Sequence, residues 1–477
     1  MIAHFQYLFE QCSSAFNQHR TFQRARSLAL GLLCSLGRCT VTGMLTASGN
    51  QFKDWSAAYR LFKGSRMNLK DIFGVIRKQV VLLNESEDRY IYAHMDDTLL
   101  RKTGKKIYGS GWLRDPLGPP FANNFIWGQR FIQISLSLLQ KDIYGPSRAI
   151  PVDFLHCPPI AKPAKDASEQ EVAIFRERQK KEKMSAVGIE RIIQLRQDLN
   201  QDGYQLRKLI LSVDGSYTNE TVLRKLPENV VLLGRIRKDA KLYALPTQEK
   251  KPGSRGRKAY YGQELPTPEQ TKKDDAVPYQ SIEVWVAGKI RELQVKVLKD
   301  IRWKKSGDKN LMLIVIKPIG YRLTKKSKLL YRNPAYLIST DQEINLKTLV
   351  QSYIRRWEIE VGFRDQKSLM GCGQAQVREK QAVQKVPAFL SACYGMLLLA
   401  SHKANQLNND KLPAPKWYNK QGQNRTTTGD ILNAVRLENW AISSKINLTD
   451  FVNIENKLAK QGKIMNNAVS SLIYMRN

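Results

Sequence analysis

Tyr353-Ile354-Arg355-Arg356-Trp357-Glu358-Ile359-Glu360, running on to Lys367, is the stretch from which the rest of the chain is read. Tyr353, Arg356, Glu360 and Lys367 lie at offsets 0, 3, 7 and 14, which at about 100° per residue puts all four within roughly 60° of one helix face. Beside them Leu346, Val350, Ile354, Trp357 and Val361 form an apolar stripe at nearly the same spacing, as in a helix held against a core. The polar stripe is therefore aimed. It sets one carboxylate among an arginine, a lysine and a phenol, a group suited to a metal ion beside phosphates. The spacing predicts a helix over 341–370, opened by a Thr340-x-x-Glu343 capping box and closed by Gly371.

Upstream, β-type runs deliver acidic residues. Tyr90-Ile91-Tyr92-Ala93-His94-Met95 ends on Asp96-Asp97-Thr98, and Lys208-Leu209-Ile210-Leu211-Ser212-Val213 ends on Asp214-Gly215-Ser216. Further strands are expected at 106–113, 130–139 and 230–234, with a charged helix over 167–199. Such alternation predicts an α/β layered mixed sheet. Residues 235–340 read as a basic insertion: an exposed loop over 246–278, then period-two runs such as Ile282, Val284 and Val286 that predict a β-rich subdomain. Residues 1–85 are helical in pattern, and Arg38 to Gly49 fits a helix-turn-helix and a plain packing element equally well. The remainder from 380 is helical around a polar break at 405–426. The expected divisions are 1–88, 89–234, 235–340, 341–400 and 401–477.

Two strand-end aspartates and one helix-borne glutamate supply three hard oxygen ligands of the kind Mg²⁺ or Mn²⁺ accepts. Two such ions can activate an attacking oxygen and stabilise a leaving one, which is phosphodiester chemistry. Any one aspartate alone is more often a cap or surface residue; the joint arrangement favours the site. Asp97 is an alternative to Asp96, because neighbouring strand residues point to opposite faces.

The overall charge agrees with a polyanionic partner. Lys and Arg number 77 against 43 Asp and Glu, a formal charge of +34, while 42% hydrophobic and 9% aromatic content describe a globular body. Between Lys317 and Arg332 there are six basic residues and no acid, and Arg235, Arg237, Lys238 and Lys241 lie close together. Both runs read as phosphate tracks. Ser254-Arg255-Gly256-Arg257-Lys258 has the look of a minor-groove hook but lacks the proline, and a flexible loop is the alternative. The six cysteines form no Cys-x-x-Cys pair and there are five histidines, so neither a structural zinc site nor a disulfide framework is expected. The setting expected is reducing and cytoplasmic. The apolar runs 28–35 and 386–400 fall short of the about 20 residues a bilayer requires and are expected to be buried helices.

Taken together, these motifs resemble a bacterial insertion-sequence transposase of the DDE class, of the insertion-sequence-four type. The family signature Y-x2-R-x3-E-x6-K is matched by Tyr353, Arg356, Glu360 and Lys367, and its D-x-T by Asp96-Asp97-Thr98. The resemblance covers roughly 90–370 and implies a ribonuclease-H-like fold with a β insertion ahead of the glutamate helix. It implies Asp96, Asp214 and Glu360 as ligands of two Mg²⁺ or Mn²⁺ ions, with Arg356, Lys367 and Tyr353 on phosphates. Trp357 matches an aromatic common there. Tyr336 matches a residue on which relatives stack a flipped base, with Trp285 and Trp303 as alternatives and a core-facing aromatic as the competing reading. After Asp214 the chain reads Gly-Ser-Tyr where many relatives place Arg. The implied activity is cut-and-paste transposition: binding double-stranded DNA at inverted repeats, cleaving, and joining 3′ ends to target DNA as a homodimer, in the bacterial cytoplasm with the nucleoid and without a membrane. A nuclease of the same fold, a non-catalytic DNA-binding descendant and an RNA-binding scaffold are the rivals.

Overall fold

The computed structural model describes residues 1–444 except 86, 88, 116, 117, 119, 120, 122, 123, 141, 247–258, 325 and 408–425. Five helices open the chain: α1 (Ile2–Glu10), α2 (His19–Cys34), α3 (Val41–Ala47), α4 (Ser56–Leu61) and α5 (Leu69–Leu83). Strands β1 (Tyr90–Arg101), β2 (Gly111–Arg114), β3 (Phe125–Leu139) and β4 (Ser147–His156) follow, then helices α6 (Glu169–Glu182) and α7 (Met184–Gln201). Strand β5 (Lys208–Val213), the short helix α8 (Glu220–Leu223) and strand β6 (Val230–Arg235) complete the first half.

The insertion contributes β7 (Leu242–Ala244), β8 (Glu264–Leu265), helix α9 (Pro268–Lys273), β9 (Gln280–Val286), β10 (Lys289–Arg302) and β11 (Leu311–Ile316). It ends with β12 (Gly320–Tyr321), β13 (Leu330–Tyr331) and β14 (Ala335–Ser339). Helices α10 (Leu346–Arg355), α11 (Trp357–Ser368), α12 (Lys380–Leu407) and α13 (Thr428–Ser444) close the described chain.

The sheet is mixed, as the β/α alternation predicts. Its strand order is β2-β3-β1-β5-β6-β14-β11-β10-β7-β8, with β4 also on β3 and β9 also on β10. β1, β5 and β6 are parallel, while β1 pairs antiparallel with β3. This arrangement, with helices at both ends of the chain, is consistent with a ribonuclease-H-like fold. The insertion's strands share this sheet, because β14 pairs with β6 and continues the same ladder. Part of the expected loop over 246–278 is ordered: β8 and α9 lie there, and α9 opens on a Thr267–Gln270 capping box. The hook motif at 254–258 lies outside the described residues.

Several local expectations change for physical reasons. The charged helix splits at Lys183, whose ψ of 146° is extended. Strand β4 lies outside the expected strands because Pro151 interrupts its pattern; the structure places that proline beside a bulge opposite Ile134 and Ser135, where a missing amide is tolerated. The helix expected over 341–370 begins at Asn345, whose side chain accepts from the Lys347 amide. Thr340 is not its cap: the hydroxyl oxygen accepts from the Leu232 amide at 3.0 Å and locks the end of β14 to β6.

The helix is also interrupted at Arg356 by two short-range bonds, from the Arg356 amide to the Tyr353 carbonyl (3.1 Å) and from the Ile359 amide to the Arg356 carbonyl (3.0 Å). A tightened turn shifts the phase of the helical residues beyond it. The expected apolar stripe therefore holds along α10, where Val350 is buried and Leu346 and Ile354 pack on the core, and fails beyond the joint: Trp357 is 59% exposed, and Ile359 and Phe363 are buried instead. Gly371 does cap the helix end region, with φ +62°.

Buried apolar residues run without a break from the N-terminal helices through β1, β3 and β4 into α12. By length and composition α12 contains a stretch, Lys380–Asn405, sufficient to cross a membrane, but 89% of its most apolar window is buried in the protein. It is a core helix. All six cysteines are free thiols. Helices α2 and α3 cross so closely that a Cβ on Gly31 would lie 2.1 Å from the Met44 carbonyl oxygen. Gly31→Ala is therefore expected to cost about 2–4 kcal/mol in urea unfolding. An unchanged midpoint would mean that the two helices do not meet this tightly.

Candidate active site

Register alone brings two acids together. Met95 of β1 pairs with Val213 of the parallel strand β5, so Asp96 and Asp214 are the next residues on neighbouring strands, about 4.8 Å apart in strand spacing. Alternation turns both toward the helices α10 and α11. Two residues back on the same face, the Ser212 hydroxyl lies 3.1 Å from that of Ser352 on α10, and His94 is buried with its Nε2 2.7 Å from the Ser137 hydroxyl. Burial and the Arg355 and Arg356 charges push His94 down to about 3, so it stays neutral.

Arg356, at the joint between α10 and α11, closes the pocket. Its Nη1 donates to Asp96 Oδ2 at 2.7 Å and its Nη2 to Glu360 Oε1 at 2.9 Å. One guanidinium thus spans a strand carboxylate and a helix carboxylate. Helix α11 is held at this depth by Gln366, whose amide donates to Gln133 Oε1 at 3.0 Å; Gln133 is the residue paired with Asp96 across β1 and β3. Asp214 is fixed by its own turn, accepting from the Ser216 amide at 2.9 Å and the Ser216 hydroxyl at 2.8 Å.

Asp97 faces the other way. It accepts from the Tyr217 hydroxyl at 3.2 Å and pairs with Arg130 at 3.4 Å, on the sheet face covered by α7. Tyr353 is half-buried beside Arg356 and near the Arg235 charge at the end of β6. Lys367 is not in contact with the acids. It lies further along α11, near Arg101 and Asp115, and burial lowers its pKa.

The aromatics divide. Trp357 is exposed at the start of α11, whereas Tyr336 is buried and donates its hydroxyl to Glu269 of α9, so its ring is not presented to the pocket. Trp303 is buried too, and Trp285 is engaged through its backbone, its amide donating to the Gln351 side chain at 2.8 Å.

Burial pushes Asp96 up to about 7, with Asp214 adding to the rise and Arg356 opposing it. Carboxylate oxygens are hard donors of the kind a divalent cation accepts, and the Nε of Arg356 is buried without an acceptor, a donor suited to an anionic oxygen such as a phosphate's. The residues fit a divalent cation in chemistry. As placed around Arg356, no group of three or more His, Cys, Asp or Glu among the described residues is gathered to hold one.

Sequence reading placed Arg235 on a phosphate track rather than beside Tyr353, and missed Gln133 and Gln366 as parts of this site. Gln133 did leave a signal: an amide between Ile132 and Ile134 in an apolar run has to find a buried partner.

The proton on Asp96 has a measurable consequence. In the unfolded chain an aspartate ionises near pH 4, whereas in the folded pocket Asp96 does so at about 7. Its contribution to stability is therefore complete below about pH 4 and lost as pH rises through about 7. In chelator, Asp96→Asn is expected to gain on the wild type across that window, reaching about 1–3 kcal/mol at pH 8 by urea unfolding. A pH-independent difference would refute the raised value.

The family described as DDE superfamily endonuclease matches residues 9–305, more than half of the chain. That span includes Asp96 and Asp214 and stops before Glu360. No curated protein matches the sequence.

Proposed function

The chain belongs to the DDE superfamily of endonucleases, and from that premise we propose that it is a cut-and-paste DNA transposase of the insertion-sequence-four type. The observation that carries this reading is the convergence of the acids: Asp96 and Asp214 adjacent in register, and Glu360 tied to Asp96 through one guanidinium. A nuclease needs acids in one pocket, and a merely DNA-binding descendant does not.

On this reading Asp96, Asp214 and Glu360 would hold two Mg²⁺ or Mn²⁺ ions. When bound, such ions make an attacking oxygen more acidic and offset charge on the leaving oxygen. The protein's own residues do the rest. Arg356 releases the carboxylates and turns its planar fork to a backbone phosphate, for which it is better suited than a lysine. Tyr353 and Lys367 contact neighbouring phosphates, one on each side of the scissile position along α10 and α11. Trp357, exposed beside them, is free to stack on an end base. The substrates are double-stranded inverted repeats and target DNA, engaged by a homodimer in the bacterial cytoplasm.

A donor plasmid carrying the gene with its flanking DNA tests the assignment. Glu360→Ala is expected to reduce Mg²⁺-dependent excision at least about a hundredfold while leaving DNA binding intact; unchanged excision would remove Glu360 from the site. Pre-cleaved ends bearing a 3′ hydroxyl separate transposase from nuclease, since only the former yields joined product in an intermolecular reaction. Cleavage with no joined product would favour the nuclease.

A further inference from the structure

Between the N-terminal helices and the far end of β1 lies a cleft of about 800 Å³. Its walls carry Arg38, Arg60, Lys63, Arg101, Lys102 and Arg378, against one acid, Glu379. That acid is already committed. Its Oε2 accepts from the Gln381 and Ala382 amides, both at 3.0 Å, at the start of α12. Arg60 is held by Asp54 in an exposed pair of the kind that exchanges readily, the exposed Arg101 by the half-buried Asp115, and Lys102 donates to the Gly373 carbonyl at 2.7 Å. The side chains of Arg38, Lys63 and Arg378 have no polar partner among the described residues.

The cleft is built rather than left over. On one side the Cys39 amide donates to Gln374 Oε1 at 2.8 Å. On the other, Lys385 donates to the Gly64 and Met67 carbonyls, and the Gly64 amide donates to Gln381. These bonds fix the helical wall to the α12 wall, so the cations face one another across a set width.

The cleft lies at the far end of the strand that carries Asp96. Strand β1 runs from Asp96 to Arg101, five residues or about 17 Å at the rise of a strand, and Lys102 of the cleft follows it. Helix α11 runs alongside in the same direction, placing Glu360 level with Asp96 and Lys367 near Arg101. A DNA strand advances about 3.4 Å per nucleotide, so this row of cations matches roughly five phosphates.

We propose that this cleft binds the sugar-phosphate backbone of one DNA strand, about five nucleotides from the phosphate cleaved at Asp96, Asp214 and Glu360. Cations on three separate chain segments, spread along an open trough, suit a repeating polyanion better than a single small anion. The inference rests on the reading of the protein as a DNA-cleaving enzyme.

The test is binding of a fluorescein-labelled, mixed-sequence duplex to the full chain in chelator, measured by anisotropy over a series of KCl concentrations. Each phosphate contact contributes about 0.9 to the slope of log K against log salt. The triple variant R38Q/K63Q/R378Q is expected to lower that slope by about three. The control triple K162Q/K165Q/K180Q, at exposed positions elsewhere, is expected to leave it unchanged. R38K/R378K, which keeps the charge, should retain the wild-type slope and guards against misfolding as the cause. An unchanged slope in the first triple, or an equal fall in the control triple, overturns the cleft while leaving the enzymatic reading standing. Absence of salt-dependent binding by the wild type would instead overturn the enzymatic reading on which the cleft rests.

Discussion

The fork of Arg356 across Asp96 and Glu360 is the interaction on which the site depends. A buried carboxylate at the end of a parallel strand is costly to ionise, and a second strand-end aspartate beside it makes the cost larger. The guanidinium partly relieves this and, in doing so, draws the glutamate of a separate helix to the strand ends. Everything around the fork serves to hold it. The Ser212–Ser352 contact sets α10 over β5, and the Gln366–Gln133 bond sets α11 over β3.

Much of this was legible in residues 353–367 and in the two strands that end on aspartate. Polar spacing located the stretch that carries Arg356 and Glu360, though not the place of Lys367 away from the acids, and apolar runs located strands, because both depend on local periodicity. What was not legible depended on phase or on partners distant in sequence. The tightened turn at Arg356 rotates α11 relative to α10, so that Ile359 and Phe363 rather than Trp357 and Val361 meet the core, and no periodic pattern announces such a turn. The choice between Asp96 and Asp97 required the register of β1 against β5, and the burial of Tyr336 required knowing that α9 lies over β14. Thr340 read as a helix cap because its spacing to Glu343 was right; its hydroxyl is used by Leu232, 108 residues earlier.

Net charge acquires a location in the fold. A surplus of 34 positive charges says only that a polyanion is wanted. In the structure a portion of that surplus lines a walled trough, where Asp54 and Asp115 pair with Arg60 and Arg101, while Glu379, the one acid in its walls, is turned to the first turn of α12.

Because β14 is hydrogen-bonded to β6 on one side and β11 on the other, the ladder crosses from the strands that carry Asp96 and Asp214 into residues 235–340 with no seam. The two cannot slide past each other without breaking backbone pairs. Only the short segment from Thr340 to Asn345 separates β14 from α10. A load placed on the outer strands of the insertion is therefore borne stiffly to the root of the helix pair that carries Arg356 and Glu360, as through a single plank rather than a jointed arm.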